Sequence, residues 1–259
     1  MEDPRVFQAS RVKEPAMIHY HGFPITPATA AVAAVQAGHA FVSFQHPDQL
    51  GIAAEVCQSF AVDNGAFSAW KSGNPTTDWS EFYEWALACK RMPNCDFAVI
   101  PDVIDGSEED NNKLVRSWPL GNFFGAPVWH MHESMSRLSW LARDFHRVCI
   151  GSSGDFAEIG NSNWWSRIAE AMNVVCPNGS PVCKLHGLRM LDPEVFTKLP
   201  FASADSTNIG RNVGIDNKWK NGNYPPPTKE ARAMVMRQRI EAHNSAQKWI
   251  KQPIQETLI

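Results

Sequence analysis

Three aspartates stand at the ends of short apolar runs: Asp63 after Phe60-Ala61-Val62, Asp102 after Ala98-Val99-Ile100-Pro101, and Asp205 after Phe201-Ala202-Ser203-Ala204. His21, His132 and His186 finish three other runs of the same kind. Carboxyl and imidazole groups brought to one place can act as nucleophile, general acid, general base or metal ligand. Asp63 and Asp205 also precede turn-forming residues, Asn64-Gly65 and Ser206-Thr207-Asn208, so capping a turn is the competing use of each carboxylate. Three aspartates in equivalent places favour chemistry over capping.

Two glycine-bearing segments have the character of ligand cradles. Ile150-Gly151-Ser152-Ser153-Gly154 offers unhindered backbone N–H groups to an oxygen of a bound molecule. Leu185-His186-Gly187-Leu188-Arg189-Met190 puts a glycine beside a strand end, where backbone can approach a flat ring closely.

The elements that must position these residues recur along the chain. Eight runs read as strands: Met17–His21, Ala40–Phe44, Ser59–Asp63, Phe97–Asp102, Pro127–His132, Arg147–Gly151, Val182–His186 and Phe201–Asp205. Helical patterns fall between them. One opens at Thr77-Asp78-Trp79-Ser80-Glu81 and continues to Lys90; another, Asn163 to Val175, has Trp164, Ile168 and Met172 on one apolar face. A stiff turn, Asn221-Gly222-Asn223-Tyr224-Pro225-Pro226-Pro227, precedes a last helix predicted from an N-cap at Thr228 to about Trp249. Strands alternating with helices predict an α/β fold, a single (β/α)8 TIM-like barrel with a C-terminal helix, covering residues 1–259 as one domain. In such a barrel all strand C-termini meet on one face, so aspartates far apart in sequence would line one pocket.

Composition fits this expectation. With 259 residues, 44% hydrophobic and 20% charged, the chain is the size at which one parallel barrel closes. No apolar run approaches the roughly 20 residues of a membrane helix, and the opening Met1-Glu2-Asp3-Pro4-Arg5 lacks a charged-then-apolar leader, so a cytoplasmic protein is expected. Six cysteines, Cys57, Cys89, Cys95, Cys149, Cys176 and Cys183, form no C-x-x-C pair and read as reduced core residues. The net charge of −3 is uneven: from Arg211 onward nine Lys/Arg face four Asp/Glu. That basic segment, about residues 211–259 with Arg211, Lys218, Lys220, Arg232, Arg237 and Arg239, is a candidate phosphate-contacting surface, or simply a solvated helix face.

In order and spacing, the motifs from Phe60 to Arg211 resemble the tRNA-guanine transglycosylase superfamily, and within it the DNA-modifying branch of phages and plasmids that inserts 7-deazaguanine derivatives. Val62-Asp63-Asn64-Gly65-Ala66-Phe67 is similar to the family's D-S-G-G-F strand end, and Ile100-Pro101-Asp102 to the strand with the base-recognition aspartate. Ile150-Gly151-Ser152 is similar to the I-G-G turn that meets the purine carbonyl, and His186-Gly187-Leu188-Arg189-Met190 falls where the family has L-M-G-V-G. Ala204-Asp205-Ser206-Thr207-Asn208-Ile209-Gly210-Arg211 is similar to the stretch that begins with the nucleophile.

The resemblance implies a glycosyltransferase that replaces guanine in DNA with a free 7-deazaguanine base through a covalent aspartyl-glycosyl intermediate. It makes Asp205 the nucleophile and Asp63 the general acid/base, with Asp102, Gly151, Ser152, His186, Gly187 and His132 around the base. His132 enters through His130-Met131-His132-Glu133, which replaces the Gln-containing turn of the tRNA enzymes. Arg211, Lys218, Lys220 and Arg237 would contact the nucleic acid, while Phe67, Trp70 or Trp129 would sandwich a flipped base. The tRNA-acting members carry a C-x-C-x-x-C plus His zinc site after the nucleophile; no cysteine follows Cys183, so neither metal nor cofactor is expected. A bacterial host cytoplasm and a homodimer are compatible with the branch.

Other readings stay open at this level. His19, His21, His132, His186 and Asp205 imitate the ligand order of metal-dependent amidohydrolases. The same superfamily could act on tRNA, a hydrolase could remove the base without replacing it, and a barrel could bind nucleic acid or a deazapurine without catalysis.

Overall fold

The computed structural model describes residues 17–215 and 225–251; Lys218 and Lys220 lie outside the described residues. Nine strands among them form one parallel sheet in the order β5-β4-β3-β2-β1-β9-β8-β7-β6. They are β1 (Ile18–Gly22), β2 (His39–Ser43), β3 (Ser59–Asp63), β4 (Cys95–Val99), β5 (Gly125–Ala126), β6 (Val128–His130), β7 (Arg147–Gly151), β8 (Lys184–Gly187) and β9 (Ser203–Ser206).

The ninth strand comes from one proline. Pro127 has no N–H to give a ladder and splits the predicted run Pro127–His132 from two residues before it. The half before it pairs with β4, through Ala98 opposite Gly125, and the half after it pairs with β7, through Val128 opposite Cys149. The proline still serves as an acceptor, since Cys149 N donates to Pro127 O at 2.9 Å. The eight predicted strands therefore exist as a barrel that closes across Pro127.

β3 and β7 have the boundaries expected from sequence, and those of the other strands shift by one to three residues. β4 ends at Val99, so Asp102 sits in the loop beyond it, and His132 likewise lies past the end of β6. Helices surround the strands: α1 (Ala28–Val35), α2 (Leu50–Val56), α3 (Ala66–Lys71), α4 (Ser80–Lys90), α5 (Glu108–Ser117), α6 (Met135–Asp144), α7 (Ser162–Val175), α8 (Pro193–Phe196), α9 (Asn208–Asn212) and α10 (Lys229–Glu241). Ser107, Ser134, Asn161 and Thr228 accept the backbone N–H three residues on and so cap α5, α6, α7 and α10.

The last helix is shorter than expected, ending at Glu241 instead of near Trp249. The following polar residues are drawn into tertiary contacts: Asn244 Oδ1 accepts from Met17 N at 2.8 Å and His243 O meets His19 Nε2 at 3.0 Å. Trp249 packs separately, its indole N–H donating to Asn173 on α7 at 2.8 Å. No helix among the described residues is long and apolar enough to cross a membrane. All six cysteines are free, with Cys95 and Cys183 half-buried and the rest buried.

Alternation along each strand divides the core in two. Tyr20, Phe41, Ala61, Phe97, Val99, Ala126, Val128 and Cys149 fill the barrel interior, while a larger cluster lies between strands and helices. One buried ion pair ties the outer layers to β6. Glu133 accepts from Arg137 Nη1 at 2.6 Å, Asn111 Nδ2 at 3.0 Å and His130 N at 2.8 Å, and Arg137 donates onward to Val128 O and Asn112 Oδ1 at 2.8 Å each. Removing only the carboxylate leaves a buried guanidinium without its counter-charge. Glu133→Ala is expected to cost about 3–5 kcal/mol in urea unfolding, and a loss below about 1 kcal/mol would show the pair to be solvent-relaxed.

Candidate functional site

The strand ends converge on a cavity of about 300 Å³. Asp63, Asn64, Asp102, His130, Gly151, Ser152, Arg189, Asp205 and Arg211 are among its lining residues. The three aspartates are thus gathered, and each is held differently.

Asp63, the last residue of β3, faces inward because Ser59, Ala61 and Asp63 share one side of the strand. Its Oδ2 accepts from Gly65 N at 3.1 Å. Gly65 has φ +79°, a left-handed turn that starts α3, and a Cβ there would fall 2.6 Å from Gln45 Cγ. Burial, followed by the charges of Asp205 and Asp102, pushes the Asp63 carboxyl up to about 7, against hydrogen bonds from Gly65 and Ser43 that favour the ionised form. At neutral pH Asp63 is poised to give or take a proton.

Asp102 is clamped at both oxygens. Asn64 Nδ2 donates to Oδ1 at 2.8 Å and also to Ile100 O at 2.9 Å, while His130 Nε2 lies 2.9 Å from Oδ2. The adjoining Asn64 carbonyl accepts Ala66 N at 2.7 Å, so the Asp-Asn-Gly turn presents one carboxyl to the cavity and orients another.

Asp205, on β9, has Oδ1 2.9 Å from Arg189 N and 3.3 Å from His186 Nε2. The contacts of His130 and His186 to their aspartates are close but off the line of an ideal ring N–H bond, and neither Nε2 has another partner among the described residues. Arg189 itself is a non-glycine residue at φ +60°, an uncommon backbone state that marks this turn as constrained. Its guanidinium stacks over Phe67 at 4.2 Å and donates to Ser152 O at 3.2 Å, making a flat wall across the cavity from the strands.

Several residues expected around the base lie elsewhere. His186 is fully buried beneath the cavity, and Gly187 is turned away from it, with a Cβ there reaching 2.6 Å from the Phe201 ring. His132 sits in an adjoining apolar recess with Phe67, Trp70 and Ile104, its Nδ1 2.8 Å from Ser153 Oγ and Nε2 3.3 Å from Gly106 O. Its inward-facing counterpart is His130, because β6 ends two residues earlier than predicted. Trp129 is fully buried in the outer core with its indole bonded to Ser134 O, away from any stacking role. Arg237 is spent on Glu241, at 2.9 Å, and on Gln36 O, at 2.8 Å, just before β2 begins and so at the opposite end of the barrel from the cavity. Arg211, by contrast, is exposed at the cavity rim.

The alternative ligand set is likewise dispersed. His19 and His21 point outward to His243 O and Glu241, on the far side of β1 from Tyr20, which points into the barrel. Among the described residues no group of three or more His, Cys, Asp and Glu is placed to hold a metal ion. Asn64, His130 and Arg189 are site residues that sequence reading left unassigned; only the period-two alternation from a correct strand end could have placed His130, and no local signal marked Arg189.

The fold and its gathered strand ends define a TIM barrel. No protein-family model matches the chain, and no curated protein sequence does. Among solved structures it is similar to a mutant tryptophan synthase α-subunit from the hyperthermophile Pyrococcus furiosus, at 9% identity and TM-score 0.50, over 88% of this chain and 97% of that one. A likeness at this identity is one of fold alone.

Asp63 also has a consequence for stability. The folded chain keeps its proton up to about pH 7, against an ordinary value of 3.8, so the folded state binds the extra proton between those values and stability falls as pH rises through that window. Asp63→Asn cannot ionise and should escape the fall. Its unfolding free energy relative to wild type is expected to rise by up to about 4 kcal/mol between pH 4 and pH 8, and a pH-independent difference would mean that Asp63 titrates normally.

Proposed function

We propose that this barrel exchanges a guanine in DNA for a free 7-deazaguanine base. The observation that carries the reading is the pairing, around one cavity, of an ordered carboxylate at Asp205 with a carboxyl at Asp63 that holds its proton to about pH 7. Base exchange on an intact backbone needs both groups: a nucleophile to hold the anomeric carbon and an acid/base to serve first the leaving and then the arriving base.

In the forward half-reaction the free oxygen of Asp205 attacks C1′, the glycosidic C–N bond breaks, and Asp63 gives its proton to the departing guanine. In the second half-reaction Asp63 takes a proton from the incoming base, whose nitrogen attacks C1′ and releases the Asp205 carboxylate. Asp102 has acceptor capacity left beyond Asn64 and His130 and would receive N–H groups of the purine edge. The Phe67–Arg189 wall would support the ring face, and Gly151, which has no side chain to intrude, would let the ring approach β7. A target nucleotide in duplex DNA would first have to leave the stack, at a cost of a few kcal/mol. Arg211 at the rim is placed for a phosphate that positions the strand without specifying sequence. The amidohydrolase alternative loses its basis, because its histidines do not share a point.

The test is incubation with guanine-containing duplex DNA, or tRNA, and a labelled 7-deazaguanine precursor, followed by nucleoside analysis. Label in DNA that disappears in Asp205→Ala is expected. Label only in tRNA would overturn the substrate, guanine release without label would indicate hydrolysis, and no reaction with either would sink the exchange reading. Asp63→Asn is expected to lower kcat by about 10²–10⁴-fold while leaving DNA affinity near wild type.

A further inference from the structure

We propose that Arg147, Ser203 and His186 form a hydrogen-bonded chain inside the barrel that fixes His186 as its Nε2–H tautomer and thereby holds Asp205 with one oxygen free for the cavity. The functional meaning of this chain rests on Asp205 being the reacting carboxylate; the tautomer itself does not. His186 and Ser203 are positioning residues, since neither lines the cavity.

The direction of the chain follows from what each group can do. Arg147 is buried inside the barrel, with Nη2 3.1 Å from Asp96 Oδ2 and Nη1 2.9 Å from Ser203 Oγ. Asp96 is held in turn by the Tyr20 hydroxyl at 2.6 Å. A guanidinium carries donors only, so Ser203 must accept from it. The Ser203 hydroxyl hydrogen is then directed to its other neighbour, His186 Nδ1, at 2.8 Å. An Nδ1 that accepts is bare, which places the ring proton on Nε2, the nitrogen that faces Asp205 Oδ1 at 3.3 Å.

The opposite tautomer is penalised twice. It would leave the Ser203 hydrogen turned away from Nδ1, and it would set the lone pairs of Nε2 and Oδ1 against each other in a fully buried site. Protonating both nitrogens is opposed by the surroundings: the ring is fully buried, and burial holds its pKa below the ordinary value, with Asp205 and Asp96 raising it and Arg147 lowering it. The remaining neighbours are the rings of Tyr20, Phe41 and Phe97, at 5.9, 5.2 and 5.2 Å.

Asp205 Oδ1 therefore faces two N–H groups, from His186 and from Arg189, and Oδ2 is left as the nucleophilic oxygen. No proton leaves His186 during the exchange. As the Oδ2–C1′ bond forms and the C1′–N bond breaks, Nε2–H stays beside Oδ1, where its positive end can offset the carboxylate charge when the second base releases Asp205.

The experiment is a long-range ¹⁵N–¹H correlation on the full-length protein labelled at histidine, with His186 assigned through proton contacts to the rings of Phe41 and Phe97. The expected wild-type pattern at pH 7 is a neutral ring with a bare Nδ1 and a protonated Nε2. In Ser203→Ala the ring is expected to shift toward an Nδ1–H or mixed population, with kcat lowered about tenfold or more and KM for DNA unchanged. A wild-type His186 that is protonated at Nδ1 would overturn the proposal, as would a Ser203→Ala ring that keeps the pure Nε2–H form. Because the wild-type spectrum needs no activity, the proposal can fail while base exchange stands, and base exchange can fail while the tautomer stands.

Discussion

A closed parallel barrel obeys two constraints at once: every strand ends on the same rim, and along each strand only alternate side chains point inward. The site depends on both. The first brings Asp63, Asp102 and Asp205 together from three separated segments. The second selects which neighbours join them, so that Tyr20 points into the barrel while His19 and His21 point out to the C-terminal segment; His130 lines the cavity and His132, of the same parity, does not because β6 ends at His130.

Charge inside this barrel is handled in two ways. Arg147 is an interior cation whose donors reach Asp96 and Ser203, and its guanidinium lies 4.2 Å over the Phe97 ring, so the low-dielectric interior is met by paired and stacked contacts. Asp63 is treated in the opposite manner. It has a backbone N–H and a serine for partners, but two further carboxylates for neighbours, and it answers burial by keeping its proton. Asp205 stands between these treatments, with its Oδ1 3.3 Å from His186 Nε2 and with Asp63 lining the same cavity. Asp63 thus acquires its raised proton affinity from its surroundings alone, as acid/base work beside a nucleophile requires.

The rim loops carry the remaining geometry. The Asp63-Asn64-Gly65 turn uses each residue separately: the aspartate faces the cavity, the asparagine orients Asp102, and the glycine supplies the left-handed backbone that begins α3. The Arg189 turn contributes a backbone N–H to Asp205 and a guanidinium to the opposite wall, at a backbone conformation that side-chain-bearing residues seldom adopt. Such a conformation persists only when its surroundings hold it, and here Asp205, Ser152 and Phe67 do so.

From the sequence by itself came the α/β alternation, the barrel, the three aspartates at or just past strand ends, and several helix starts, because hydrophobic period and capping chemistry are local properties that survive in one dimension. Thr228 is an example: its side chain caps the helix that follows whatever that helix packs against. Tertiary structure decided what depends on a partner far along the chain. Whether the last helix continued past Glu241 was settled by Asn244 and His243 reaching Met17 and His19, and whether Arg237 was available to a ligand was settled by Glu241 and Gln36. The placement of His186 beneath the cavity instead of on its wall followed from the register of β8 against β9, which sets His186 opposite Ser203. Where a strand ends and which residue pairs across it depend on distant partners, as the end of β6 at His130 and the pairing of His186 with Ser203 show, so the identities of the chemical groups were legible in sequence while their placement was not.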